Sequence, residues 1–211
     1  EAGPFDFILA DLGVSSMQID NPDRGFTYKS EGPLDLRLNP EKGESAAERL
    51  KNVTEDELEG MLVENSDEPY AAEIAQQVMK KLRQGEMIDT TTKLYETIEE
   101  ALSFIPEKER KGAVKKSCQR TFQALRIDVN SEFEVLYALM EKLPSALKSG
   151  GKVAILTFHS GEDRIVKKAF KEWKKAGVYS EIANDVIRPS AKECVRNSRA
   201  KSTKMRWAIK A

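Results

Sequence analysis

Two short apolar runs, far apart in the chain, most constrain what this sequence can fold into. Residues 5–12 read Phe-Asp-Phe-Ile-Leu-Ala-Asp-Leu, and residues 152–158 read Lys-Val-Ala-Ile-Leu-Thr-Phe. Neither run shows the regular apolar–polar alternation of a strand with one solvated face. Such runs are typical of buried strands in a parallel sheet. They predict an α/β fold.

The segment before the second run predicts a helix that feeds a strand. Ser131 with Glu134 three residues later predicts a capping box. Apolar side chains then recur at helical spacing, at Phe133, Leu136, Tyr137, Met140 and Leu143. Gly150 and Gly151 end the connection, so this stretch is half of a βαβ unit.

The middle of the chain has a different pattern. Residues 43–116 carry apolar side chains at spacings of three and four, which predicts a bundle of helices. Helix starts are predicted at Thr54 and at Thr91 or Thr92, and breaks at Gly85, Pro106 and Gly112. We therefore predict a separate helical domain at 43–116, inserted into an α/β domain formed by 1–42 and 117–211.

Opposite charges are segregated along the chain. The totals are 34 Lys and Arg against 35 Asp and Glu. Residues 43–110 hold 17 acidic and 8 basic side chains, whereas residues 188–210 hold 8 basic side chains and a single acid. Basic stretches attract phosphate backbones, although solvated helix faces explain them equally well. Within the last stretch, 185–187 and 205–209 predict two strands joined by a basic loop at 190–204.

Composition argues against several classes of protein. No run approaches the roughly 20 apolar residues that span a bilayer, and no signal peptide is recognisable at the start. Cys118 and Cys194 are too few for a disulfide framework, and His159 is the single histidine, so we expect no zinc or other metal site. We expect a soluble protein of a reducing compartment, the cytoplasm or an organellar stroma or matrix.

Polar residues follow both predicted strands. Asp11 to Ser16 comes after the first and His159 to Arg164 after the second. Ligands of open α/β sheets bind beyond the carboxyl ends of the strands, so these segments predict a functional site. The structural alternatives are a turn acid for Asp11, and for His159 a hydrogen-bonded imidazole beside a Ser160 that caps the next helix.

Common catalytic motifs do not account for these residues. A Ser-His-Asp hydrolase is disfavoured because the sequence has no Gly-x-Ser-x-Gly elbow, and because adjacent Ser160 and His159 cannot easily adopt the triad geometry. There is also no Gly-x-Gly-x-x-Gly or Walker loop to hold phosphates.

The sequence also contains several longer motifs. They are Phe-Ile-Leu-Ala-Asp-Leu-Gly-Val-Ser-Ser-Met-Gln-Ile-Asp at 7–20, Arg-Gly-Phe at 24–26, Gly-Pro-Leu-Asp-Leu-Arg at 32–37, Arg-Thr-Phe-Gln-Ala-Leu-Arg at 120–126, Asn-Ser-Glu at 130–132, Phe-His-Ser-Gly-Glu-Asp-Arg-Ile-Val-Lys at 158–167 and Asn-Ser-Arg-Ala-Lys-Ser at 197–202. In order and spacing these motifs closely resemble those of one family, the bacterial ribosomal small-subunit RNA cytosine-N4 methyltransferases (RsmH, also called MraW). The resemblance implies a Rossmann-like methyltransferase fold with a helical insertion that helps to hold RNA. It also implies methyl transfer from S-adenosylmethionine to the exocyclic N4 of one cytosine in the decoding centre of 16S ribosomal RNA.

The resemblance also implies parts that these 211 residues do not show. Family members begin with a Gly-Gly-His-Ser cofactor loop, the first strands of the sheet and an acid for the cofactor ribose, whereas this sequence starts at the equivalent of the fourth strand. Asp11 and Gln18 match the cofactor contacts that remain. Two positions depart from the family pattern: Ser198 where Pro is usual, and Gly161 where many members have Leu.

We assign expected roles on this basis. Asp11 contacts the cofactor or the target amine, Ser15 and Ser16 line the pocket, and His159 with Ser160 closes it. Phe158 or Phe26 stacks on the displaced base, with core packing as the alternative for both. The expected phosphate contacts are Arg120, Arg126, Arg164, Lys167, Arg196, Arg199 and Lys201.

The expected partner is small-subunit ribosomal RNA or the assembled small subunit. A homodimer is left open, and no membrane partner is expected. The alternative of a different class is a catalytically inactive, truncated remnant that binds RNA.

Overall fold

A computed structural model describes residues 3–211 of the chain. Its elements are β1 (Phe5–Asp11), α1 (Ser16–Asp20), α2 (Ala46–Asn52), α3 (Glu55–Ser66), α4 (Ala71–Arg83), α5 (Thr91–Ala101), α6 (Glu107–Val129), α7 (Glu132–Ala146), β2 (Leu147–Thr157), α8 (Ser160–Lys175), β3 (Tyr179–Ile182), α9 (Ala191–Arg196) and β4 (Lys204–Lys210). They form two compact units, a sheet unit made of 3–13 with 133–211 and a helical unit made of 14–132. The predicted insertion boundaries at 43 and 116 stay a prediction.

The sheet unit has a mixed four-stranded sheet in the order β1-β2-β4-β3. β1 and β2 run parallel, with Leu9 beside Ala154 and Asp11 beside Leu156, as the two apolar runs predict. β4 runs antiparallel to both β2 and β3. The α/β class predicted from the sequence is confirmed.

The prediction that both runs are buried is right for β2 and wrong for β1. Val153 and Ile155 of β2 are fully buried, whereas Phe7 and Leu9 of β1 are 57% and 58% exposed. β1 is an edge strand of the sheet that the structure describes, and β2 is its single neighbour there. Only its alternate side chains, Ile8 and Ala10, pack against the core.

The C-terminal strands match the prediction in part. Residues 205–209 lie within β4, as predicted. The predicted strand at 185–187 is wrong, because the chain bends at 184–185 and only Ile187 bridges back, to Met205. The strand that forms instead is β3, where Tyr179 is buried with its ring centroid 5.6 Å from that of Phe170. The basic loop at 190–204 contains α9 and a 3₁₀ turn at Ser198–Ser202.

Two helices contribute buried side chains to the hydrophobic core of the sheet unit. α7 contributes Leu136, Met140 and Leu143, and α8 contributes Ile165, Val166 and Phe170. Fully burying an apolar side chain of this size stabilises a fold by about 1.5–3 kcal/mol. The predicted capping box at Ser131 is wrong: Ser131 has a φ of 49°, in the left-handed region, whereas capping residues are extended.

The helical unit confirms the predicted helices. Thr54 caps α3 with Glu57 in a capping box, and Thr90, one residue earlier than predicted, caps α5. The predicted break at Gly112 is wrong, because α6 runs through it from Glu107 to Val129. An exposed mid-helix glycine costs only about 1 kcal/mol relative to alanine. The buried residues of α6, which include Val114, Cys118, Phe122 and Leu125, outweigh that cost.

Within residues 3–211, none of the helices combines the length and the apolar character needed to cross a bilayer.

Candidate functional site

The segments that follow β1 and β2 lie side by side. Asp11, the last residue of β1, is exposed, and the amide of Leu12 donates to the carbonyl of Leu156 at 3.2 Å. The chain then turns at Gly13, whose φ is +83°. A β-carbon built at Gly13 would be 3.7 Å from Cδ2 of Phe158. The parallel pairing thus brings Asp11 and the segment after β2 to one edge of the sheet, as predicted.

His159 begins the turn into α8. It is the capping residue of that helix, with extended backbone, and its Nδ1 accepts from the amide of Glu162 at 3.4 Å. Its side chain is only 11% exposed. The alternative that Ser160 caps this helix is wrong, because Ser160 is already the first helical residue and its side chain faces solvent.

Glu162 is a structural partner that sequence reasoning missed. It is 3% exposed, and its Oε2 accepts from the amides of Phe158 at 2.7 Å and His159 at 3.4 Å. This completes a capping box in which histidine takes the place usual for serine or threonine. The spacing His-x-x-Glu was visible in the sequence, but imidazole is an uncommon cap and gave no clear signal.

Asp163 is the second acid that the sequence did not single out. Its Oδ1 accepts from Nε of Arg206 at 2.7 Å, and its Oδ2 accepts from Nη2 of Arg206 and Nζ of Lys204, both at 3.3 Å. Burial favours a higher pKa for the Asp163 carboxyl, but its hydrogen bonds and ion pairs with Arg206 and Lys204 outweigh burial and lower that pKa. These contacts tie the start of α8 to β4.

Ser15, Ser16 and Gln18 belong to the helical unit, in and beside the short helix α1. Ser15 caps that helix: its Oγ accepts from the amide of Gln18 at 3.3 Å, and Oε1 of Gln18 accepts from the amide of Ser15 at 2.9 Å. Ser16 is exposed. The amide oxygen of Gln18 is therefore engaged within the chain, and its NH₂ group remains as a donor.

The motifs at 24–37 and 130–132 form structural contacts within the helical unit. The side chain of Asn130 donates to the carbonyl of Leu36 at 2.8 Å and accepts from the amide of Leu38 at 2.6 Å. Nη2 of Arg24 donates to the carbonyls of Arg37 and Leu38 at 2.7 and 3.0 Å. These contacts hold the long loop before α2 against the end of α6, and Phe26 packs on the same core.

The predicted phosphate contacts have different surroundings. Arg126 forms a two-pronged ion pair with Glu132, at 2.7 and 2.9 Å, and its side chain is 16% exposed. Arg120 is half-buried on α6. The other five predicted residues are exposed and belong to the sheet unit, on α8, on α9 and on the 3₁₀ turn: Arg164, Lys167, Arg196, Arg199 and Lys201.

The motifs and the parallel strand pair can be compared with known proteins. The model of one family, the MraW methylase family, matches residues 1–211. The chain belongs to the MraW methylase family. This family has a Rossmann-like fold of the kind that binds S-adenosylmethionine, in agreement with the α/β class and with the parallel pairing of β1 and β2.

Relatives within the family are closely similar in sequence. The chain is 69% identical over 211 residues to "Ribosomal RNA small subunit methyltransferase H 1" of Lachnoclostridium phytofermentans, and 67% identical to the protein of the same name from Agathobacter rectalis. It is 63% identical to "Ribosomal RNA small subunit methyltransferase H 2" of Alkaliphilus metalliredigens. Each alignment covers all of this chain and 58%, 60% and 60% of the respective relative. The chain thus spans about 60% of the length of these MraW relatives.

Proposed function

We propose that this protein methylates the exocyclic N4 of a cytosine in the decoding centre of 16S ribosomal RNA, with S-adenosylmethionine as the methyl donor. One observation carries the proposal. In a member of the MraW family, Asp11 and the segment 158–160 follow adjacent parallel strands and meet at the carboxyl edge of the sheet. Open α/β sheets bind their ligands at this edge.

The residues at hand fit part of the cofactor. When bound, S-adenosylmethionine supplies a methyl group on a positively charged sulfur. The exposed carboxylate of Asp11 can accept hydrogen bonds from its amino or hydroxyl groups, and the free NH₂ of Gln18 can donate to its acceptors. We propose Asp11 in the sheet unit and Gln18 in the helical unit as cofactor contacts. Each is proposed from its own surroundings alone.

The target amine needs orientation more than activation. The lone pair of N4 is conjugated with the cytosine ring, so an acceptor that holds the NH₂ group also helps to localise that lone pair. Asp11 or its backbone carbonyl is the proposed acceptor. In the sheet unit, the hydroxyl of Ser160 and the ring of His159 are proposed to line the site. In the helical unit, the hydroxyls of Ser15 and Ser16 are proposed as further contacts, each taken by itself. Holding reactants in the right orientation lowers a barrier substantially without acid or base chemistry.

The proposed substrate must also be delivered to the site. Moving a base out of its stack costs a few kcal/mol, which stacking on Phe158 or Phe26 would offset. The exposed basic residues of the sheet unit, and in the helical unit Arg120 and Arg126, are the proposed contacts to RNA phosphates. The substrate would be the small ribosomal subunit or its RNA, in the cytoplasm or in an organellar stroma or matrix.

Replacing Asp11 tests the proposal. Methyl transfer to small ribosomal subunits is measured with labelled S-adenosylmethionine, and the product nucleoside is identified by digestion and mass spectrometry. We expect N4-methylcytidine with the unchanged protein and no measurable transfer with Asp11→Ala. The matched control is Asp185→Ala, which removes an exposed acid from a loop of the same unit and is expected to leave transfer unchanged.

Calorimetry with S-adenosylmethionine separates this proposal from the alternative of an inactive RNA-binding remnant. Binding of the cofactor by the unchanged protein, weakened by Asp11→Ala, supports the methyltransferase. RNA binding without any cofactor binding supports the remnant. Near-normal turnover of Asp11→Ala would contradict the role proposed for this carboxylate.

A further inference from the structure

The turn between β2 and α8 is held by contacts that the proposed chemistry does not use. The carboxylate of Glu162 is buried, with 4% of its side chain exposed, and points back to the turn rather than outward. Its Oε2 accepts from the amides of Phe158 and His159. A buried carboxylate is costly unless hydrogen bonds compensate it, so this orientation ties Glu162 to one conformation of the turn.

The contacts in this turn also indicate which nitrogen of the His159 imidazole carries the proton. Nδ1 of His159 accepts from the backbone amide of Glu162 at 3.4 Å, so this nitrogen carries no proton. The proton of the neutral ring therefore sits on Nε2. That nitrogen is buried and lies 3.4 Å from Oε1 of Glu162, without the alignment of a hydrogen bond. Both ring nitrogens thus face protein atoms of the cap.

Packing around the ring leaves little freedom for another rotamer. The ring centroids of Phe133 and His159 are 5.9 Å apart. A β-carbon built at Gly161 would lie 2.7 Å from Cζ of Phe133 and 3.2 Å from Nδ1 of His159. The absence of a side chain at Gly161 therefore lets the imidazole and the phenyl ring share this space.

Asp163 holds the turn from its other side. Its ion pairs with Arg206 and Lys204 connect the first turn of α8 to β4. The turn is thus anchored on both sides by adjacent acidic residues, Glu162 to the backbone before the helix and Asp163 to the neighbouring strand.

We infer that Glu162 is a positioning residue: it locks the turn 158–160 and holds His159 as its Nε2–H tautomer, so that His159 is a structural cap and not a proton acceptor in the reaction. This inference deepens the proposed function. Its statement that His159 takes no proton during methyl transfer rests on that function. What the turn presents to a substrate at the sheet edge is the exposed hydroxyl of Ser160. The proton lost on N4 methylation must then leave by a group other than His159.

The single histidine makes the tautomer directly measurable. The protein is labelled with ¹⁵N-histidine, and long-range ¹H–¹⁵N correlation spectra are recorded at a pH where the ring is neutral. We expect one set of signals, with Nδ1 unprotonated and Nε2 protonated. An Nδ1–H tautomer, or signals averaged over both tautomers, would overturn the inference without any variant being made.

Variants of Glu162 test its part in the lock. Glu162→Ala removes the acceptor for the turn amides, and we expect averaged imidazole signals together with a loss of about tenfold or more in methyl transfer, the scale of one charge-assisted hydrogen bond. Glu162→Gln keeps an acceptor oxygen and the backbone amide, so we expect the single tautomer and most of the activity to be retained. Glu172→Ala, at an exposed position near the end of the same helix, is the matched control and should change neither readout.

The outcomes separate this inference from the proposed function. If the unchanged protein shows the expected tautomer but transfers no methyl group, the proposed function fails and the cap stands as structure. If Glu162→Ala folds and keeps both the single tautomer and full transfer, the positioning role is refuted. If Glu162→Ala does not fold, the spectrum of the unchanged protein still decides, because an Nδ1–H tautomer or averaged signals there would contradict the inference.

Discussion

Asp163 and Arg206 form a buried ion pair, with Oδ1 and Nε 2.7 Å apart, that joins the first turn of α8 to the middle of β4. Asp163 is 9% exposed and Arg206 is 6% exposed. Removing one partner of such a pair leaves a charge that is neither hydrated nor compensated.

The first prediction concerns the stability that this pair confers. We expect Asp163→Ala to lower the free energy of unfolding by about 3–5 kcal/mol, because the buried guanidinium of Arg206 then lacks the carboxylate that compensates its charge. Urea unfolding followed by tryptophan fluorescence is the measurement. Trp173 and Trp207 both lie in the sheet unit, so the signal reports on that unit.

A double-mutant cycle checks that the effect belongs to the pair. Asp163→Ala combined with Arg206→Met should cost less than the sum of the two single changes, because no buried charge is then left alone. The control is Asp6→Ala, which breaks an exposed pair with Lys148 and should cost less than about 1 kcal/mol. Strict additivity in the cycle would contradict the prediction.

The second prediction is a pH dependence of stability. Although burial favours a higher pKa, Arg206 and Lys204 lower the pKa of the Asp163 carboxyl in the folded state. Its contribution to stability is therefore fully present above the pKa of an unfolded aspartate, about 3.9, and is lost as pH falls through the lower folded pKa. The fluorescence-monitored urea midpoint should decline below pH about 4. Asp163→Asn should flatten that decline, and an unchanged slope in this variant would count against the assignment.

The third prediction concerns the two thiols. Burial, aided by the nearby charges of Glu99 and Glu68, raises the pKa of the Cys118 thiol to about 12, so almost no thiolate forms near neutral pH. Cys194 is only half-buried, on α9. A colorimetric thiol reagent should titrate one thiol in the folded protein and two in denaturant. Cys194→Ser should abolish the fast reaction, whereas rapid labelling of Cys118 in that variant would show that α6 opens readily.

The fourth prediction follows from the proposed phosphate contacts. Arg196, Arg199 and Lys201 are exposed on α9 and the 3₁₀ turn after it. Each phosphate that a protein contacts adds about 0.7–0.9 to the slope of log affinity against log salt concentration. Replacing all three by alanine should reduce that slope by about 2, measured by filter binding to small-subunit RNA at several salt concentrations. Replacing Lys29, Lys42 and Lys51, which are exposed in the helical unit, changes the net charge equally and should leave the slope almost unchanged.

Much of the local structure could be predicted from short stretches of sequence. Thr54 and Glu57 define the start of α3 through contacts three residues apart, and the apolar spacing of Leu136, Met140 and Leu143 defines the buried face of α7. The predictions from sequence were wrong where contacts with residues far away in the chain determine the local structure. Gly112 weakens a helix locally, yet α6 continues through it because the side chains beyond it are buried against other helices.

At the candidate site, too, local sequence patterns predicted some features and long-range contacts determined the others. The two apolar runs by themselves indicated strands of a parallel sheet, with Asp11 and the residues after β2 at its carboxyl edge. The structure adds that β1 and β2 are direct neighbours. The sequence did not reveal that Asp163 finds Arg206, which is 43 residues away. Nor did it reveal that His159 and not Ser160 caps α8, since both residues can accept a hydrogen bond and only the packing of the ring against Phe133 and Gly161 selects one.

The sequence by itself therefore determined the family, the two strands of a parallel sheet that precede the candidate site, and several helix starts, because these depend on motifs and on local patterns of residues. Only the tertiary structure decided that, within residues 3–211, β1 has β2 as its one neighbouring strand and leaves Phe7 and Leu9 exposed, and that Glu162 and Asp163 face inward as anchors of a turn. Burial and pairing of charges depend on which segments meet in space, and the local pattern of residues does not contain that information.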